Sequence, residues 1–394
     1  MQNTVISPWP HYSQEEADAV SGVLLSNKVN YWTGNEGRAF EKEFAQYTHS
    51  KYAVAVANGT LALDLAMHSL NIGAGDEVIV TSRTFIASVS SIINAGATPV
   101  FADIDIDSQN ITAQTISAVL SQKTKAIICV HLAGWPCDMD AIMALANEHD
   151  LFVIEDCAQA HGATYKGQSV GSIGHIGAWS FCQDKIMTTG GEGGMLTTNS
   201  EAIWRKAWAF KDHGKSYAAV YEKSHPPGYR WLHESFGTNW RLTEMQSVIG
   251  RIQLKRMPAW HALRSEYAKR IFNTCQKYPF LRVPELPDNI EHAFYKCCVF
   301  VRPTLLPSNW SRDAISQAIS EQGIPCFSGS CSEVYLEKAF DNTPFRPEKP
   351  LANAHQLGET TLMFLVHPTL TQQEIEKTCH VIEQICNKIA DSNI

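Results

Sequence analysis

The sequence predicts an α/β fold with two domains, a large one built on a mostly parallel sheet and a smaller α+β domain after it. Over roughly the first 260 residues, helical patterns alternate with short apolar runs, which is typical of the strand–helix–strand units that form parallel sheets. Beyond that point the alternation stops. The length of 394 residues supports the same division, because it exceeds that of one ordinary domain.

Two helices are predicted within the first seventy residues. Gln14–Leu25 follows Ser13, a typical N-cap residue, and Glu16 stands three positions after that serine, as in a capping box. Thr60–Leu70 carries leucine and methionine at the spacing of one apolar helix face. We expect both helices to pack that face against the rest of the domain.

Short apolar runs bounded by turn residues predict four strands. Each run is continuously apolar rather than alternating, which is typical of strands that are covered on both faces. Helices on the two sides of a parallel sheet supply that cover. The predicted strands are Glu77–Val80, Pro99–Ala102, Lys125–Val130 and Leu151–Ile154.

A long segment without periodicity precedes the predicted domain boundary. Residues 214–240 are rich in glycine, proline, histidine and aromatic side chains, and loops of this length are usually functional or bridging. A helix is predicted over Leu242–Met257. The boundary is placed after it, which gives a large domain of residues 1–257 and a small domain of residues 258–394. In the small domain we expect a strand over Phe294–Val301 and a closing helix over Gln372–Ile389.

Composition and charge indicate a globular protein that binds neither nucleic acid nor membrane. Hydrophobic residues make up 44% and charged residues 18%, as in ordinary globular proteins. The formal net charge is −8 and no long basic block is present, so there is no general attraction for phosphate backbones. No run approaches the ~18 apolar residues of a membrane span, and the first ten residues do not resemble a signal peptide. We therefore expect a cytoplasmic protein.

The eleven cysteines are expected to be reduced thiols rather than disulfides. Their spacing is irregular and their number is odd, and in a reducing compartment such residues act mainly as small buried hydrophobes. Cys297 and Cys298 are adjacent in a predicted strand, so alternation should send their thiols to opposite faces. Cys326 and Cys331 share one loop without a second ligand pair, and no metal site is predicted there.

One lysine and one aspartate together point to a cofactor. Lys185 precedes the glycine-rich run Thr188–Gly194, and Asp156 follows the strand predicted to end at Ile154. Ligands of α/β sheets bind at the carboxyl ends of strands, so Asp156 is placed to face a bound ring. Pyridoxal 5'-phosphate needs a lysine that holds it as a Schiff base and a carboxylate that keeps its pyridine nitrogen protonated. Taken singly, Asp156 is also explained as a solvated loop residue and Lys185 as a surface charge.

Other residues are suited to the phosphate and the ring of that cofactor. Gly59 and Thr60 lead into a predicted helix, whose N-terminus is a natural anion site, and Ser180 offers a further hydroxyl. Gln159 is a possible donor to the oxygen on the ring, and Phe85 is a candidate for stacking on the ring face. Each has a simpler explanation by itself, such as a capped turn or a core phenylalanine.

Six segments match, in order and over nearly the whole chain, a known pattern: Asn58–Leu63, Gly75–Ile79, Gly96–Asp105, Glu155–Gly162, Ser180–Gly194 and Asn239–Gln246. In these segments the chain resembles the DegT/DnrJ/EryC1/StrS family of sugar aminotransferases, a branch of the fold-type-I pyridoxal phosphate enzymes. The resemblance implies a sheet of the seven-stranded type between helices. It also implies a homodimer whose active sites lie at the subunit interface.

The resemblance also implies a role for each matching residue. Lys185 corresponds to the lysine that binds the cofactor, and Asp156 to the partner of the pyridine nitrogen. Asn239 corresponds to an asparagine that reaches the cofactor phosphate of the neighbouring subunit, which makes residues 215–240 a dimer-crossing loop. The other implied cofactor contacts are Gly59, Thr60, Gln159 and Ser180.

The implied reaction moves the amino group of L-glutamate to a keto sugar. Relatives that carry histidine at the lysine position dehydrate sugars instead, and Lys185 places this chain with the transaminases. We expect a nucleotide-linked 4-keto-6-deoxyhexose as acceptor, in amino-sugar biosynthesis for surface glycans such as lipopolysaccharide or for natural products; a 3-keto sugar nucleotide is the alternative. Candidate substrate contacts are Trp32, Arg241 and Ser328.

One departure from the family pattern and two rival functions stay open. The family's His-Tyr-x-Pro-like segment, which helps to hold the substrate, is replaced here by the loop Cys326–Cys331, so the sugar is unassigned. A non-catalytic subunit that binds the cofactor for regulation or assembly would lack the half-reaction with glutamate. A desulfurase would need a nucleophilic cysteine near the cofactor, for which Cys331 is the candidate, and would release sulfide from cysteine.

Overall fold

The computed structural model describes residues 6–392, and the largest sheet in that range has seven strands. Their spatial order is β1-β9-β8-β5-β4-β2-β3. Strands β2, β3, β4, β5 and β8 run parallel to one another, whereas β9 is antiparallel to both β1 and β8. The prediction of a mostly parallel sheet is therefore confirmed. The strands are β1 (Tyr52–Val56), β2 (Glu77–Thr81), β3 (Thr98–Ala102), β4 (Thr124–Val130), β5 (Phe152–Asp156), β6 (Thr164–Tyr165), β7 (Gln168–Ser169), β8 (Ile176–Ser180) and β9 (Gly194–Thr198).

All four predicted strands are present, with ends that differ by one or two residues. Strand β5 runs to Asp156 because this residue still pairs with Val130 of β4 and Ala178 of β8. Successive side chains of the central strands pack into different apolar clusters: Val78 lies in one cluster and Ile79 in another. Alternation therefore buries both faces of the sheet, as the continuous apolar runs predict.

Helices surround this sheet and continue into the second domain. Helix α1 begins and ends as predicted, and its capping box joins Ser13 and Glu16. Helix α3 starts one residue earlier than predicted and ends at Ser69. The helices are α1 (Gln14–Leu25), α2 (Glu36–Tyr47), α3 (Gly59–Ser69), α4 (Ala87–Asn94), α5 (Ala113–Ser117), α6 (Met139–Glu148), α7 (Glu201–Phe210), α8 (Tyr217–Tyr221), α9 (Glu244–Cys275), α10 (Arg312–Glu321), α11 (Ala352–Thr360) and α12 (Gln372–Asp391).

The C-terminal part of the chain builds a second, antiparallel sheet. Its strands are ordered β10-β12-β14-β13 and pack with α10 and α12, and β11 pairs with β6 of a small separate sheet. Cys297 and Cys298 lie in two different apolar clusters, which confirms that their thiols point to opposite faces. The strands are β10 (Leu281–Arg282), β11 (Ile290–Glu291), β12 (Cys297–Val301), β13 (Cys326–Phe327) and β14 (Thr361–Phe364).

Helix α9 corrects one prediction. The helix expected to end at Met257 continues through Pro258 to Cys275, over 32 residues. A proline inside a helix removes one backbone hydrogen bond and normally breaks or kinks it. Here tertiary packing holds both halves, because α9 contacts α1 and α2 as well as α12. The boundary predicted after residue 257 thus falls inside a continuous helix, and the division into two domains stays a prediction.

The segment 214–240 is less irregular than predicted. It contains the short helix α8, and backbone bridges join Asp212 to Asn239 and Lys215 to His233. Several aromatic side chains beyond α8 are exposed, including Trp231 and Phe236. The described part of the chain includes no helix that combines the length and the apolar character of a membrane span. All eleven cysteines are free thiols, and eight of them are buried.

Candidate active site

A cavity of about 620 Å³ opens at the carboxyl ends of β4 and β5, between the start of α3 and the loop that follows β8. It brings together seven of the eight predicted cofactor residues, which come from four separate parts of the chain: Gly59, Thr60, Phe85, Asp156, Gln159, Ser180 and Lys185. A larger cavity of about 1000 Å³, between α6 and β10, contains none of the predicted site residues. The chemistry-bearing residues therefore define the smaller cavity as the candidate site.

Asp156 is held in one orientation at the end of β5. Its side chain is nearly buried, and its Oδ2 accepts a hydrogen bond from the Ser88 hydroxyl at 2.8 Å. Oδ1 accepts a second hydrogen bond from the backbone N–H of Ala158 at 3.1 Å. The hydroxyl of Thr84 lies 2.8 Å from that of Ser88 and extends the chain of contacts. Such donors stabilise a carboxylate, and the sequence contained no signal for Ser88 or Thr84.

The neighbouring Glu155 points to the opposite face of β5, away from Asp156. Its side chain is fully buried, and one oxygen lies 3.0 Å from Nε2 of His131. Cys157 lies close to this pair. The oxygens of Glu155 also accept hydrogen bonds from the backbone N–H groups of Gly171, Ile173 and Gly174. Because a buried carboxylate is costly without partners, this full set of partners indicates that Glu155 is a structural residue.

The start of α3 forms a cradle suited to a phosphate. Asn58 caps the helix, and its Oδ1 accepts the N–H of Leu61 at 2.9 Å. A Cβ atom added to Gly59 would lie only 2.5 Å from Cβ of Ser180, so only glycine lets β8 and α3 approach this closely. The hydroxyls of Thr60 and Ser180 line the cavity beside the helix N-terminus. Backbone N–H groups and the helix dipole favour an anion at such a position.

Two side chains are placed to receive a flat ring. Oε1 of Gln159 accepts the backbone N–H of Ala133 at 2.7 Å, which leaves the Nε2 amide as a donor toward the cavity. Phe85 lines the same cavity with 68% of its surface exposed. The small side chains of Val130 and Ala178 line the same cavity at the strand ends.

Lys185 lies in the loop between β8 and β9, with 17% of its side chain exposed. Its Nζ is 4.0 Å from Oδ1 of Asp184 and 5.2 Å from the centre of the Tyr295 ring. The Tyr295 hydroxyl donates a hydrogen bond to Asp184, and Nε1 of Trp9 donates to the backbone oxygen of Lys185 at 2.8 Å. Contacts from the N-terminal segment and from the second domain thus position the amine at the cavity.

Three predicted residues lie outside this cavity within one chain. Asn239 is exposed and pairs through its backbone with Asp212. The guanidinium of Arg241 forms an ion pair with the same buried Asp212 at 2.5 Å. Trp32 packs edge-on against Trp208, with ring centres 6.0 Å apart. The single chain therefore does not bring Asn239, Arg241 or Trp32 to Lys185, and their roles stay predictions.

An outer chamber of about 330 Å³ adjoins the cofactor cavity and is lined by residues from before and after helix α9 in the chain. Lys185, Asp184 and Phe85 precede this helix. Ser328 itself is not among its lining residues, although its neighbours Phe327 and Gly329 are. Sequence reasoning named Cys331 as a candidate nucleophile but missed four other residues that line the chamber; for Lys296, a lysine at the edge of an apolar strand was the available signal. The four are Tyr295, Lys296, Ser330 and Met363.

Cys331 bears on the desulfurase alternative. It lines the outer chamber and is exposed. Burial of the sulfur, with the nearby charge of Glu337, raises the pKa of the Cys331 thiol. A raised thiol pKa disfavours the nucleophilic thiolate. The structure therefore places a cysteine in the chamber that Lys185 lines, but the Glu333 backbone and the Arg83 charge, which lower the pKa of its thiol, do not outweigh the groups that raise it.

The donor set as a whole fits pyridoxal phosphate. A helix N-terminus with two hydroxyls matches the phosphate, Phe85 with Gln159 matches the ring, and Asp156 with Lys185 matches the pyridine nitrogen and the aldehyde. The close approach at Gly59 supports this fit, because a side chain there would occupy the phosphate cradle. Two further carboxylates also line this cavity, those of Asp184 and Glu192.

Comparisons with known proteins agree with this site. Residues 10–383 match the model of the DegT/DnrJ/EryC1/StrS aminotransferase family. The chain is 41% identical to a GDP-perosamine synthase from Escherichia coli O157:H7, over 95% of this chain and 96% of the relative. It is 34% identical to a UDP-N-acetyl-3-dehydro-alpha-D-glucosamine 3-aminotransferase from Acidithiobacillus ferrooxidans, over 95% of each. A crystal structure of an aminotransferase from Psychrobacter cryohalolentis superposes with a TM-score of 0.96 and 66% identity, covering 98% of this chain and 100% of that one.

Proposed function

This chain belongs to the DegT/DnrJ/EryC1/StrS aminotransferase family and is a pyridoxal phosphate-dependent sugar aminotransferase, and on that premise we propose that it transfers the amino group of L-glutamate to a nucleotide-linked 4-keto-6-deoxyhexose. The observation that carries the proposal is the convergence of Lys185, Asp156 and the Gly59–Ser180 cradle on one cavity. The seven cofactor residues that line it come from four separate segments of the chain, and their chemistry matches the parts of the cofactor.

Each residue has a defined task in the proposed mechanism. When bound, the cofactor withdraws electrons from the bond that breaks at the substrate carbon. The Asp156 carboxylate, held by Ser88 and the Ala158 N–H, keeps a proton on the ring nitrogen. The start of α3 binds the phosphate, and Gln159 donates to the ring oxygen.

Lys185 has two tasks. Its Nζ would hold the cofactor before the amino donor arrives, and once displaced the same amine would take the proton from the donor's α-carbon. After the keto acid leaves, with the amino group retained on the cofactor, Lys185 would return a proton to the sugar carbon that receives this group. Asp184 and Tyr295 hold the amine close to the cavity throughout.

The relatives support a sugar linked to a nucleotide as the acceptor. Both curated relatives carry a nucleotide in their names, which supports a place in amino-sugar biosynthesis, and we place the reaction in the cytoplasm. The relative named for amination at carbon 3 is less similar to this chain than the GDP-perosamine synthase is. That difference favours the 4-keto-6-deoxyhexose over a 3-keto sugar.

A panel of keto-sugar nucleotides tests the acceptor. Purified holoenzyme, L-glutamate and each 4-keto or 3-keto sugar nucleotide are incubated together, and products are identified by mass spectrometry. We expect an amino sugar only from one or more 4-keto-6-deoxyhexoses. If only 3-keto sugars were aminated, the proposed 4-keto-6-deoxyhexose would be wrong and a 3-keto sugar nucleotide would take its place. If glutamate reacted but no sugar product formed, the acceptor would not be one of these keto-sugar nucleotides.

We also propose a homodimer in which Asn239 completes the partner's phosphate site. Asn239 is exposed and lies outside the cavity of its own chain. The segment before it exposes Tyr229, Trp231 and Phe236 at 75%, 81% and 99% of their surfaces. Exposed aromatic groups of this density mark interaction surfaces, which supports the predicted crossing of residues 215–240 to a second copy.

A further inference from the structure

The outer chamber carries more positive than negative charge. Lys185 and Lys296 both line it, with their Nζ atoms 5.2 Å and 4.8 Å from the centre of the same Tyr295 ring. Behind them, Arg264 of α9 is 1% exposed, and its Nε and Nη2 have no hydrogen-bond partner among residues 6–392. The single acidic side chain that lines the chamber is that of Asp184.

Asp184 attracts Lys296 electrostatically but forms no ion pair with it at contact distance. It accepts the hydrogen bond of the Tyr295 hydroxyl and lies 4.0 Å from Nζ of Lys185. Burial opposes ionisation of Asp184, but the Lys185 charge, the Tyr295 hydroxyl and the Lys296 charge outweigh it and lower its pKa. Lys296 forms neither an ion pair nor a hydrogen bond with any residue in the described range.

The surroundings of Lys296 favour the arrival of an anion. Burial lowers the pKa of Lys296 to about 8, and the charges of Arg264 and Lys185 act in the same direction. Asp184 and Cys298 oppose them only in part. A buried ammonium without a partner is unfavourable, and a carboxylate that binds beside it removes that cost.

We propose that Lys296 binds a carboxylate of the amino donor beside Lys185, so that the outer chamber is the amino-acid subsite. This inference rests on the proposed use of L-glutamate. The donor's α-carbon must come to Lys185, and Lys296 lies in the chamber that Lys185 also lines. The chamber volume of about 330 Å³ is at the low end of ligand sites, which suits an amino acid better than a nucleotide sugar.

The test compares Lys296→Met, which removes the charge, with Lys296→Arg, which retains it. The control is Lys123→Met, because Lys123 is exposed and lies outside both chambers. The apparent Kd for L-glutamate is measured from the change in cofactor absorbance of each holoenzyme in the half-reaction. A charged hydrogen bond predicts a rise of about 10- to 100-fold for Lys296→Met. Lys296→Arg and Lys123→Met should stay within about threefold of the wild type.

A second readout separates this role from a merely structural one. Affinity for a keto-sugar nucleotide, measured with the amino form of the cofactor, should not change in Lys296→Met, and the melting temperature should be no lower than that of the control, because the substitution removes an unpartnered ammonium. An unchanged Kd for glutamate in Lys296→Met would overturn the inference. Weaker binding of the sugar nucleotide alone would also overturn it and would indicate that Lys296 binds an anion of that substrate instead.

Failure of the proposed function is distinguishable from failure of this inference. If the wild-type holoenzyme does not react with L-glutamate, the donor assignment fails, and succinate is then titrated as a non-reacting dicarboxylate probe. Weaker succinate binding in Lys296→Met would still support the carboxylate subsite. Equal succinate binding in both proteins would exclude it.

Discussion

The hydroxyl of Ser88 donates a hydrogen bond of 2.8 Å to Oδ2 of Asp156, and so couples the start of α4 to the end of β5. This contact fixes the carboxylate that we propose faces the pyridine nitrogen of the cofactor. Thr84 extends it to the loop that carries Phe85. The orientation of the key carboxylate therefore depends on a residue 68 positions away in the chain.

Ser88→Ala should weaken cofactor binding. Loss of a hydrogen bond to a charged group predicts about a tenfold rise in the Kd for pyridoxal phosphate. The measurement is a titration of the cofactor-free protein followed by absorbance. Ser90→Ala on the same helix is the matched control, because Ser90 lies outside the cavity. Equal affinities in the two variants would show that Ser88 does not support Asp156.

Gly59→Ala should damage the phosphate cradle. The new Cβ would lie 2.5 Å from Cβ of Ser180, so β8 or α3 must shift. Overpacking of about 1–3 kcal/mol predicts at least a several-fold loss of cofactor affinity. Gly22→Ala is the control: no atom lies within 4 Å of its added Cβ, and alanine in this exposed helix should stabilise the fold by up to about 1 kcal/mol.

Lys185→Ala should abolish turnover while the fold persists. The variant loses both the covalent attachment and the proton carrier, and general acid–base catalysis alone accounts for about 10²–10⁴ in rate. The visible absorbance of the lysine-bound cofactor should disappear, and the melting temperature should stay close to that of Lys123→Ala. Substantial remaining transamination would contradict the role of Lys185.

Mixing two inactive variants should restore activity if the sites are shared. In a heterodimer of Lys185→Ala and Asn239→Ala subunits, one site has both defects, whereas the other combines an intact Lys185 with an intact Asn239 from the partner. The mixture, refolded together, should therefore regain a measurable fraction of wild-type turnover. No recovery in verified heterodimers would mean that Asn239 acts within its own chain or not at all.

Stability should fall as the pH drops below about 6.5. Burial, with the charges of Lys185 and Arg264, lowers the pKa of His161 to about 3, and burial also lowers that of His292 to about 3. The unfolded chain takes up protons at these histidines near pH 6.5, whereas the folded chain does so only near pH 3. Between these two pH values each histidine therefore lowers the free energy of unfolding by up to about 1.4 kcal/mol per pH unit as the pH falls. His161→Phe should reduce the slope of the free energy of unfolding between pH 6.5 and 4.5, measured by urea titration; an unchanged slope would refute it.

Local patterns were sufficient for most of the large domain and for the core of the site. The capping box of Ser13 and Glu16 and the apolar runs of β2 to β5 depend on neighbouring residues, and the structure reproduces them. The cofactor residues could be found because strand ends and helix starts carry them at recognisable positions. Seven of the eight meet in one cavity as the order of motifs implies.

The sequence by itself determined the fold class, through periodicity, and the family, through six motifs in a matching order; the residues it assigns to the cofactor are a prediction from the same motifs. Only the tertiary structure decided the features that depend on distant contacts. Packing against α1, α2 and α12 carries helix α9 through Pro258. The support of Asp156 by Ser88 and the placement of Lys296 beside Lys185 join parts of the chain far apart in sequence, and no local pattern encodes such contacts.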